Sequence, residues 1–216
     1  MPGFGQQRDT DERWRRFQGV ERLTPALGRF ALTFDDGPDP DATPAVLDAL
    51  QVADAKATFF LVGEQVKAHP LLAREVAERG HAVGVHGHRH VEHDSLRDPR
   101  GDLERARELI ADATGVEPRC CRPPYGRFSP TSYEACLELG LTPVLWSAWG
   151  LDWEAIGAER IAELVCRDLE PGVIALLHDS ARYAPRESAR PTADSLAPIL
   201  ASAGERGLEP VAVEAP

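Results

Sequence analysis

Short apolar runs alternate with segments of helical spacing along most of the chain. From residue 29 onward the alternation occurs seven times, which predicts seven strands connected by helices. The predicted strands are 30–34, 57–62, 81–85, 120–122, 142–146, 173–177 and 209–213. Strands that are apolar throughout and separated by helices are typical of a parallel sheet covered on both faces. The pattern therefore predicts an α/β fold, and periodicity alone leaves an open doubly wound sheet and a closed barrel as alternatives.

The length of 216 residues fits one domain with a sizeable core. Residues 1–28 are mainly polar, and we expect an N-terminal extension that lies against this domain through Trp14, Phe17 and Leu23. Residues 29–216 are expected to form the single domain. Within it, the segment 185–191 is rich in Arg, Ser and Pro and is expected to be a surface loop before the last helix.

Composition and charge argue against some classes of partner. The formal net charge of -11 disfavours a polyanion such as nucleic acid. No apolar run is long enough for a signal sequence or a membrane span. The chain as written is therefore expected to be cytoplasmic, and a secreted location would require a signal segment outside it. The four cysteines include no CxxC pair, so we expect scattered buried thiols and no disulfide framework.

The candidate chemistry lies at the carboxyl ends of the predicted strands, where functional groups gather in folds of this kind. The first strand runs into Thr-Phe-Asp-Asp-Gly-Pro, which places Asp35 and Asp36 at its tip. Successive side chains of an extended segment point in opposite directions, so these two carboxylates can have different partners. One of them can hold a metal ion while the other takes a proton from water.

The third strand leads into a histidine-rich loop, since five of the seven histidines lie between His81 and His93. His86 and His90 are four residues apart, a spacing that places two imidazoles on one face of a helical turn and is used for divalent transition metals. Two histidines and one carboxylate leave coordination positions open, as in catalytic metal sites. An alternative is that His86 and His88 form the His-x-His dyad of an amidohydrolase barrel, although that dyad usually follows the first strand.

Three further strand ends carry polar or aromatic side chains. Arg122 stands at the end of the fourth strand, and its guanidinium could orient Asp35. His178 follows the sixth strand, where an imidazole suits a general acid, and Asp152 could hold its tautomer and raise its pKa. Indoles at a rim form a platform for sugar rings, although they are also common in cores. The three that follow the fifth strand are Trp146, Trp149 and Trp153.

Taken in this order, five segments of the chain resemble the motifs of the NodB-type polysaccharide deacetylases, the fourth family of carbohydrate esterases. The resemblance extends from about residue 30 to the C-terminus. The matching segments are Thr-Phe-Asp-Asp-Gly-Pro at 33–38, His-x-x-x-His at 86–90, Arg-Pro-Pro-Tyr-Gly at 122–126, Asp-Trp at 152–153 and Leu-x-His at 176–178. No single motif is decisive, but all five in this order are highly specific.

The resemblance implies a distorted (β/α) barrel of about seven strand-helix units and the metal-dependent removal of acetyl groups from N-acetylated sugars. The implied substrates are oligo- or polysaccharides of the chitin or peptidoglycan type. The implied metal is a divalent ion, most simply Zn²⁺, with Co²⁺ or Ni²⁺ as alternatives, held by Asp36, His86 and His90. The other implied roles are Asp35 as general base tethered by Arg122, His178 as general acid tuned by Asp152, the Tyr125 backbone amide as oxyanion donor, and Trp153 and Leu176 as walls of the acetyl pocket.

Three residues depart from the family pattern. Gly87 stands where Ser or Thr usually follows the first histidine, and His88 adds an imidazole beside the implied metal ligands. Trp149 stands where an Asp often precedes the Asp-Trp pair, and we expect it to reshape the substrate groove.

Two alternative functions stay open. One is hydrolysis of a small cytoplasmic amide, imide or ureide by the same site, which the missing export signal and the bulky Trp149 favour. The other is a carbohydrate-binding protein without catalysis. The presence of every residue of the implied site argues against this second alternative.

Overall fold

The structure, a computed structural model, describes residues 17–213, and its framework is a sheet of parallel strands with helices around it. The eight strands of these residues are β1 (Arg29–Asp35), β2 (Thr58–Leu61), β3 (Ala82–Val85), β4 (Cys120–Cys121), β5 (Thr142–Pro143), β6 (Ala148–Trp149), β7 (Ile174–His178) and β8 (Glu209–Pro210). The seven α-helices are α1 (Thr43–Val52), α2 (Gly63–Ala68), α3 (Pro70–Glu78), α4 (Pro99–Thr114), α5 (Pro130–Glu138), α6 (Ala158–Arg167) and α7 (Arg190–Glu205). None of these helices is long and apolar enough to cross a lipid bilayer.

β1 is the central strand of the sheet. The strand order is β5-β4-β3-β2-β1-β7-β6, and β8 pairs with the beginning of β1. All the pairings between these strands are parallel. The register places Asp35 between Phe60 of β2 and His178 of β7. The sheet curls into a half-barrel, which confirms the predicted α/β distorted barrel.

The side chains of β1 alternate between the two faces of the sheet, as expected for an extended segment. Phe30, Leu32 and Phe34 pack in the larger apolar cluster, which also contains buried residues of the surrounding helices. Ala31 belongs to a second cluster, formed by residues of the strands and of the segments after β5 and β8. We place this second cluster inside the barrel. Asp35 shares the parity of Ala31, so its carboxylate is directed to the inside of the barrel where β1 ends.

The predicted fifth strand, 142–146, is interrupted. β5 ends at Pro143, and the chain then forms the short strand β6, which the apolar pattern did not predict. The carbonyl oxygens of Val144 and Leu145 accept hydrogen bonds from the Arg122 guanidinium at 3.3 and 2.8 Å, so this part of the chain holds a side chain instead of continuing β5. The other predicted strands are observed with their ends shifted by no more than three residues.

The described part of the predicted N-terminal extension lies against the barrel. The Phe17 ring contacts the Tyr133 ring at a centroid distance of 4.9 Å. Leu23 is partly buried and packs against the second apolar cluster. Trp14 lies outside the described residues. The division of the chain at residue 28 stays a prediction.

Candidate active site

The site residues predicted from the sequence meet at the carboxyl ends of the strands, around a cavity of about 120 Å³. Eight of the ten line this cavity: Asp35, Asp36, His86, His90, Tyr125, Trp153, Leu176 and His178. The other two, Arg122 and Asp152, lie behind it and are 0% exposed. The cavity is also lined by Tyr183, Ala184 and Pro185, which the sequence did not single out.

Asp35 is held by an arginine that has no contact with solvent. Arg122 Nη1 donates hydrogen bonds to Asp35 Oδ1 and to Thr33 Oγ1, both at 2.7 Å. Its Nε and Nη2 donate to the carbonyl oxygens of Val144 and Leu145. Burial lowers the pKa of Arg122, and the Asp35 carboxylate opposes that shift. These hydrogen bonds hold the Arg122 guanidinium in one place, and the guanidinium therefore holds the Asp35 carboxylate in one place.

Asp36, His86 and His90 form a group with the geometry of metal ligands. Asp36 Oδ1 lies 3.4 Å from His86 Nε2 and 3.1 Å from His90 Nε2. Each residue offers a ligand atom within 4.8 Å of the others. Asp36 has a φ of 83°, a conformation that is uncommon outside glycine and clusters at functional sites. Burial alone would raise the pKa of Asp36, but the two imidazoles hold it well below its usual range.

Two observations indicate that this group fits a cation. His86 Nδ1 lies 2.7 Å from the carbonyl oxygen of Arg122. A carbonyl oxygen can only accept, so Nδ1 carries a proton, and Nε2 is the ring nitrogen that faces Asp36 and is available to a metal ion. Asp36 Oδ1 is buried and has no hydrogen-bond partner among residues 17–213. A buried carboxylate oxygen without a hydrogen bond is costly, and a divalent ion bound by this oxygen and the two imidazoles would remove that cost.

His178 is paired with a buried carboxylate. Its Nδ1 lies 2.8 Å from Asp152 Oδ1, and its backbone N–H donates to Asp152 Oδ2 at 2.8 Å. Burial alone would lower the pKa of His178, but the Asp152 carboxylate raises it to about 9, with smaller contributions from Asp36 and Asp35. Burial would raise the pKa of Asp152, and the His178 imidazole keeps it below its usual value. His178 is therefore protonated at neutral pH, with Nδ1–H donated to Asp152.

Two residues that the sequence did not single out support Asp152. Thr192, near the start of α7, donates to Asp152 Oδ2 at 2.7 Å. Arg186 Nη1 lies 3.5 Å from the same oxygen and donates to Thr192 Oγ1 at 2.8 Å. Arg186 is only 8% exposed, so the prediction of a surface loop at 185–191 is wrong for this residue. The Asp152 carboxylate and two backbone carbonyl oxygens bind its guanidinium inside the protein.

Aromatic and aliphatic side chains form the walls of the cavity. The Trp153 ring stands edge-on to the His178 ring at a centroid distance of 5.6 Å. Leu176, only 4% exposed, lies two residues before His178 on β7. Tyr125 has a φ of 58° in the turn after β4. Trp149 contacts Trp153 at 6.4 Å, and its expected effect on the substrate groove stays a prediction.

The loop after β3 contains two of the departures from the family pattern, Gly87 and His88. Gly87 has a φ of 77°, and a Cβ there would lie 3.1 Å from the carbonyl oxygen of Arg89, so a glycine is favoured. The backbone N–H of His88 donates to Asp102 Oδ2 at 2.7 Å. His88 is not part of the metal-ligand group found among the described residues, which contradicts the His-x-His alternative.

Asp179 joins the turn that carries Asp35 and Asp36 to the end of β7. Its carboxylate is buried and accepts hydrogen bonds from the backbone N–H of Gly37, at 3.1 Å, and from the Thr43 hydroxyl. Burial raises the pKa of Asp179 to about 7. A Cβ at Gly37 would overlap this carboxylate. The close approach therefore requires glycine at position 37.

Several known proteins are similar to this chain in sequence or in structure. Residues 24–144 match the family model described as polysaccharide deacetylase. A peptidoglycan-N-acetylglucosamine deacetylase of Bacillus cereus is 32% identical over 175 residues, covering 77% of this chain and 64% of that protein. A chitooligosaccharide deacetylase of Azorhizobium caulinodans is 36% identical over 166 residues, covering 73% of this chain and 77% of that protein.

One solved structure of similar fold is a peptidoglycan N-acetylglucosamine deacetylase in complex with 4-naphthalen-1-yl-N-oxidanyl-benzamide. It superposes with a TM-score of 0.85 at 28% sequence identity, covering 94% of this chain and 95% of that chain. The chain belongs to the polysaccharide deacetylase family, as its motifs predicted. It spans 64% of the length of the Bacillus cereus relative.

Proposed function

We propose that the chain is a metal-dependent hydrolase that removes acetyl groups from the N-acetylated sugars of an oligo- or polysaccharide. The observation that carries this proposal is that Asp35 and His178 line one cavity together with Asp36, His86 and His90. A carboxylate fixed by a buried arginine suits a general base, and a protonated imidazole suits a general acid. Family membership supports the substrate class, since the relatives are named for peptidoglycan N-acetylglucosamine and chitooligosaccharides.

We propose zinc as the ion, with cobalt or nickel as substitutes. Two imidazoles and one carboxylate suit zinc and leave positions open for water and substrate. The residues that would hold it are Asp36, His86 and His90. When bound, the ion supplies Lewis-acid chemistry, because it polarises the acetyl carbonyl and lowers the pKa of a water molecule.

The protein groups carry the proton transfers. Asp35 takes a proton from the attacking water while Arg122 keeps its carboxylate in place. The backbone amide of Tyr125 donates to the negative oxygen that develops on the acetyl carbon. His178 gives its Nε2 proton to the leaving nitrogen as the C–N bond breaks, and Asp152 holds the imidazole in the required orientation. Acetate and a free amine result.

The cavity walls define what the reacting centre accepts. Trp153 and Leu176 are proposed to enclose the acetyl methyl group, because both are apolar and both line the cavity beside His178. A methyl group fills such a space without leaving a polar atom unpaired, whereas a charged or larger acyl group does not.

The test is acetate release by protein stripped with a chelator, measured with and without added zinc or cobalt. The panel for acetate release contains chitin oligomers, peptidoglycan fragments and acetylated monosaccharides, and the hydrolysis of small amides, imides and ureides is followed separately by chromatography of their products. We expect release only after metal is added, and from an oligosaccharide. Turnover confined to the small compounds would favour the small-amide alternative, and sugar binding without any turnover would favour a carbohydrate-binding protein.

Two substitutions test the assigned roles. Asp35→Asn removes the base and His178→Ala removes the acid, and each is expected to lower turnover by about 10²- to 10⁴-fold while the fold persists. Asp41→Asn and His69→Ala serve as matched controls, because both residues lie outside the cavity. Near-normal turnover in either test variant would show that its role is wrongly assigned.

A further inference from the structure

The two histidines of the candidate metal site are held in different ways. The ring of His86 is oriented by the hydrogen bond of its Nδ1 to the Arg122 carbonyl oxygen. The Nδ1 atom of His90 is buried and has no hydrogen-bond partner among the described residues. Metal-binding histidines almost always donate their second N–H, because that bond fixes the ring orientation. Among the described residues, it is ring contacts and not a hydrogen bond that orient His90.

Two tyrosine rings enclose the His90 imidazole. Tyr183 stacks on it with a centroid distance of 4.1 Å and an interplanar angle of 10°. Tyr125 meets it edge-on at 4.7 Å and 68°. A face on one side and an edge on another restrict rotation of the imidazole about its Cβ–Cγ bond. This arrangement holds His90 Nε2 at 3.1 Å from Asp36 Oδ1.

Tyr183 is itself fixed from the opposite side of the site. It follows β7, yet its hydroxyl oxygen accepts a hydrogen bond from Gln65 Nε2 at 2.9 Å. Gln65 lies on α2, directly after β2, and is 7% exposed. Because β1 lies between β2 and β7, the loop after β7 crosses over the Asp35–Asp36 turn to reach this partner.

We propose that Tyr183 is a positioning residue for the metal ligand His90, and that Gln65 fixes Tyr183 in this role. This inference rests on the proposed metal site. The stacked ring takes the place of the hydrogen bond that His90 lacks, so the loop after β7 contributes to metal affinity without supplying a ligand. Tyr183 also lines the cavity, so its effect on the metal must be measured without substrate.

The experiment compares Tyr183→Leu, Tyr183→Phe and Gln65→Met with the wild-type chain. Each protein is loaded with zinc or cobalt, and the rate of metal transfer to a fluorescent chelator is recorded. The absorption spectrum of the cobalt form gives an independent readout of ligand geometry. Tyr133→Leu is the matched control, because this tyrosine packs against Phe17 and does not line the cavity.

We expect Tyr183→Leu to weaken metal binding by about 10- to 100-fold and to change the cobalt spectrum. Tyr183→Phe and Gln65→Met both keep the stacked ring and both lose the hydrogen bond that fixes it, so each should weaken metal binding less than Tyr183→Leu does. Tyr183 is partly exposed, so its variants are expected to fold. If Tyr183→Leu does not fold, Tyr183→Phe and Gln65→Met still test whether fixing the Tyr183 ring affects metal binding.

Three outcomes would overturn this inference. The first is wild-type metal release and an unchanged cobalt spectrum in a folded Tyr183→Leu protein. The second is a Tyr183→Phe protein as impaired as Tyr183→Leu, because the hydroxyl and not the stack would then matter. In both cases metal-dependent turnover by the wild type would leave the proposed function intact. The third is a wild-type chain that binds no metal, which would overturn the proposed metal site as well.

Discussion

The candidate site has a base half and an acid half, and in each half a buried charged residue holds the reactive side chain in place. The holding residue is a cation in the base half and an anion in the acid half. In the base half, the reactive carboxylate of Asp35 is held by the buried cation Arg122. In the acid half, the reactive imidazole of His178 is held by the buried anion Asp152. Arg122 places its donors on two side chains and two backbone carbonyls, all from β1 and the segment after β5. Asp152 depends on Thr192 and on the cation Arg186, which belong to α7 and the loop before it.

The cation of the base half, Arg122, has a fixed charge, whereas the cation of the acid half, His178, has a charge that depends on pH. A guanidinium keeps its charge over the ordinary pH range, so the Arg122 side of the Arg122–Asp35 pair does not change with pH. The acid half contains an imidazole whose pKa depends on how completely Asp152 is balanced by its other partners. We therefore expect substitutions in the base half to affect stability first, and substitutions in the acid half to shift the pH dependence of turnover.

The largest effect is expected from Arg122→Met. This change leaves the Asp35 carboxylate buried without its partner, and removal of one member of a buried ion pair typically costs about 3–5 kcal/mol. The free energy of unfolding, measured in urea, should fall by this amount, and turnover should be lost.

Two further variants show whether the lost ion pair causes this effect. Arg127→Met removes an arginine whose pair with Glu92 is partly exposed, and it should cost less than about 1 kcal/mol. Asp35→Asn combined with Arg122→Met should recover part of the stability, because the unpaired charge is gone. A double variant no more stable than Arg122→Met would point to lost packing of the arginine instead.

The next effect is expected from Asp152→Asn. In the wild type, kcat/KM should fall as the pH rises through about 9, where His178 loses its proton. Without the Asp152 charge the pKa of His178 moves down toward its ordinary value of 6.5, so this fall should begin at lower pH. Turnover near pH 8 should then drop by about tenfold or more. A pH profile that keeps its shape would show that Asp152 does not set the pKa of the acid.

The same pair makes a pH-dependent contribution to stability. The pKa of His178 is higher in the folded chain than in the unfolded one, so its contribution is complete below about pH 6.5 and is lost as the pH rises through about 9. Asp152→Asn should flatten the dependence of unfolding free energy on pH in this window.

The base half could be predicted from the sequence and the acid half only in part. Asp35 and Arg122 stand at the ends of apolar strands, so the strand pattern alone brings them to the same edge of the sheet. His178 follows the same rule. Arg186 and Tyr183 lie in an irregular segment, where neither periodicity nor a motif indicates which side chains are buried. Their contacts depend on the path of the loop after β7, which is set by tertiary packing.

A third effect tests the connection between the halves. Gly37→Ala places a methyl group against the Asp179 carboxylate, and overpacking of this kind typically costs about 1–3 kcal/mol. Asp179→Ala leaves the buried N–H of Gly37 without its acceptor, at a similar cost. The double variant should be more stable than the sum of the two losses predicts, because the methyl group then occupies space that the carboxylate vacated. Simple additivity in urea unfolding would show that the two residues do not contact as described.

The smallest effect is expected from Arg186→Met. It should shift the pH at which the rate falls in the direction opposite to the shift caused by Asp152→Asn. Without this cation, the Asp152 carboxylate acts more strongly on His178, so the fall of the rate at high pH should move upward by less than about one pH unit. Arg186→Lys keeps the charge and should remain close to the wild type. Arg182→Met removes an exposed arginine of the same loop and serves as the matched control. A downward shift in Arg186→Met, or an equal shift in Arg182→Met, would mean that Arg186 does not balance the charge of Asp152.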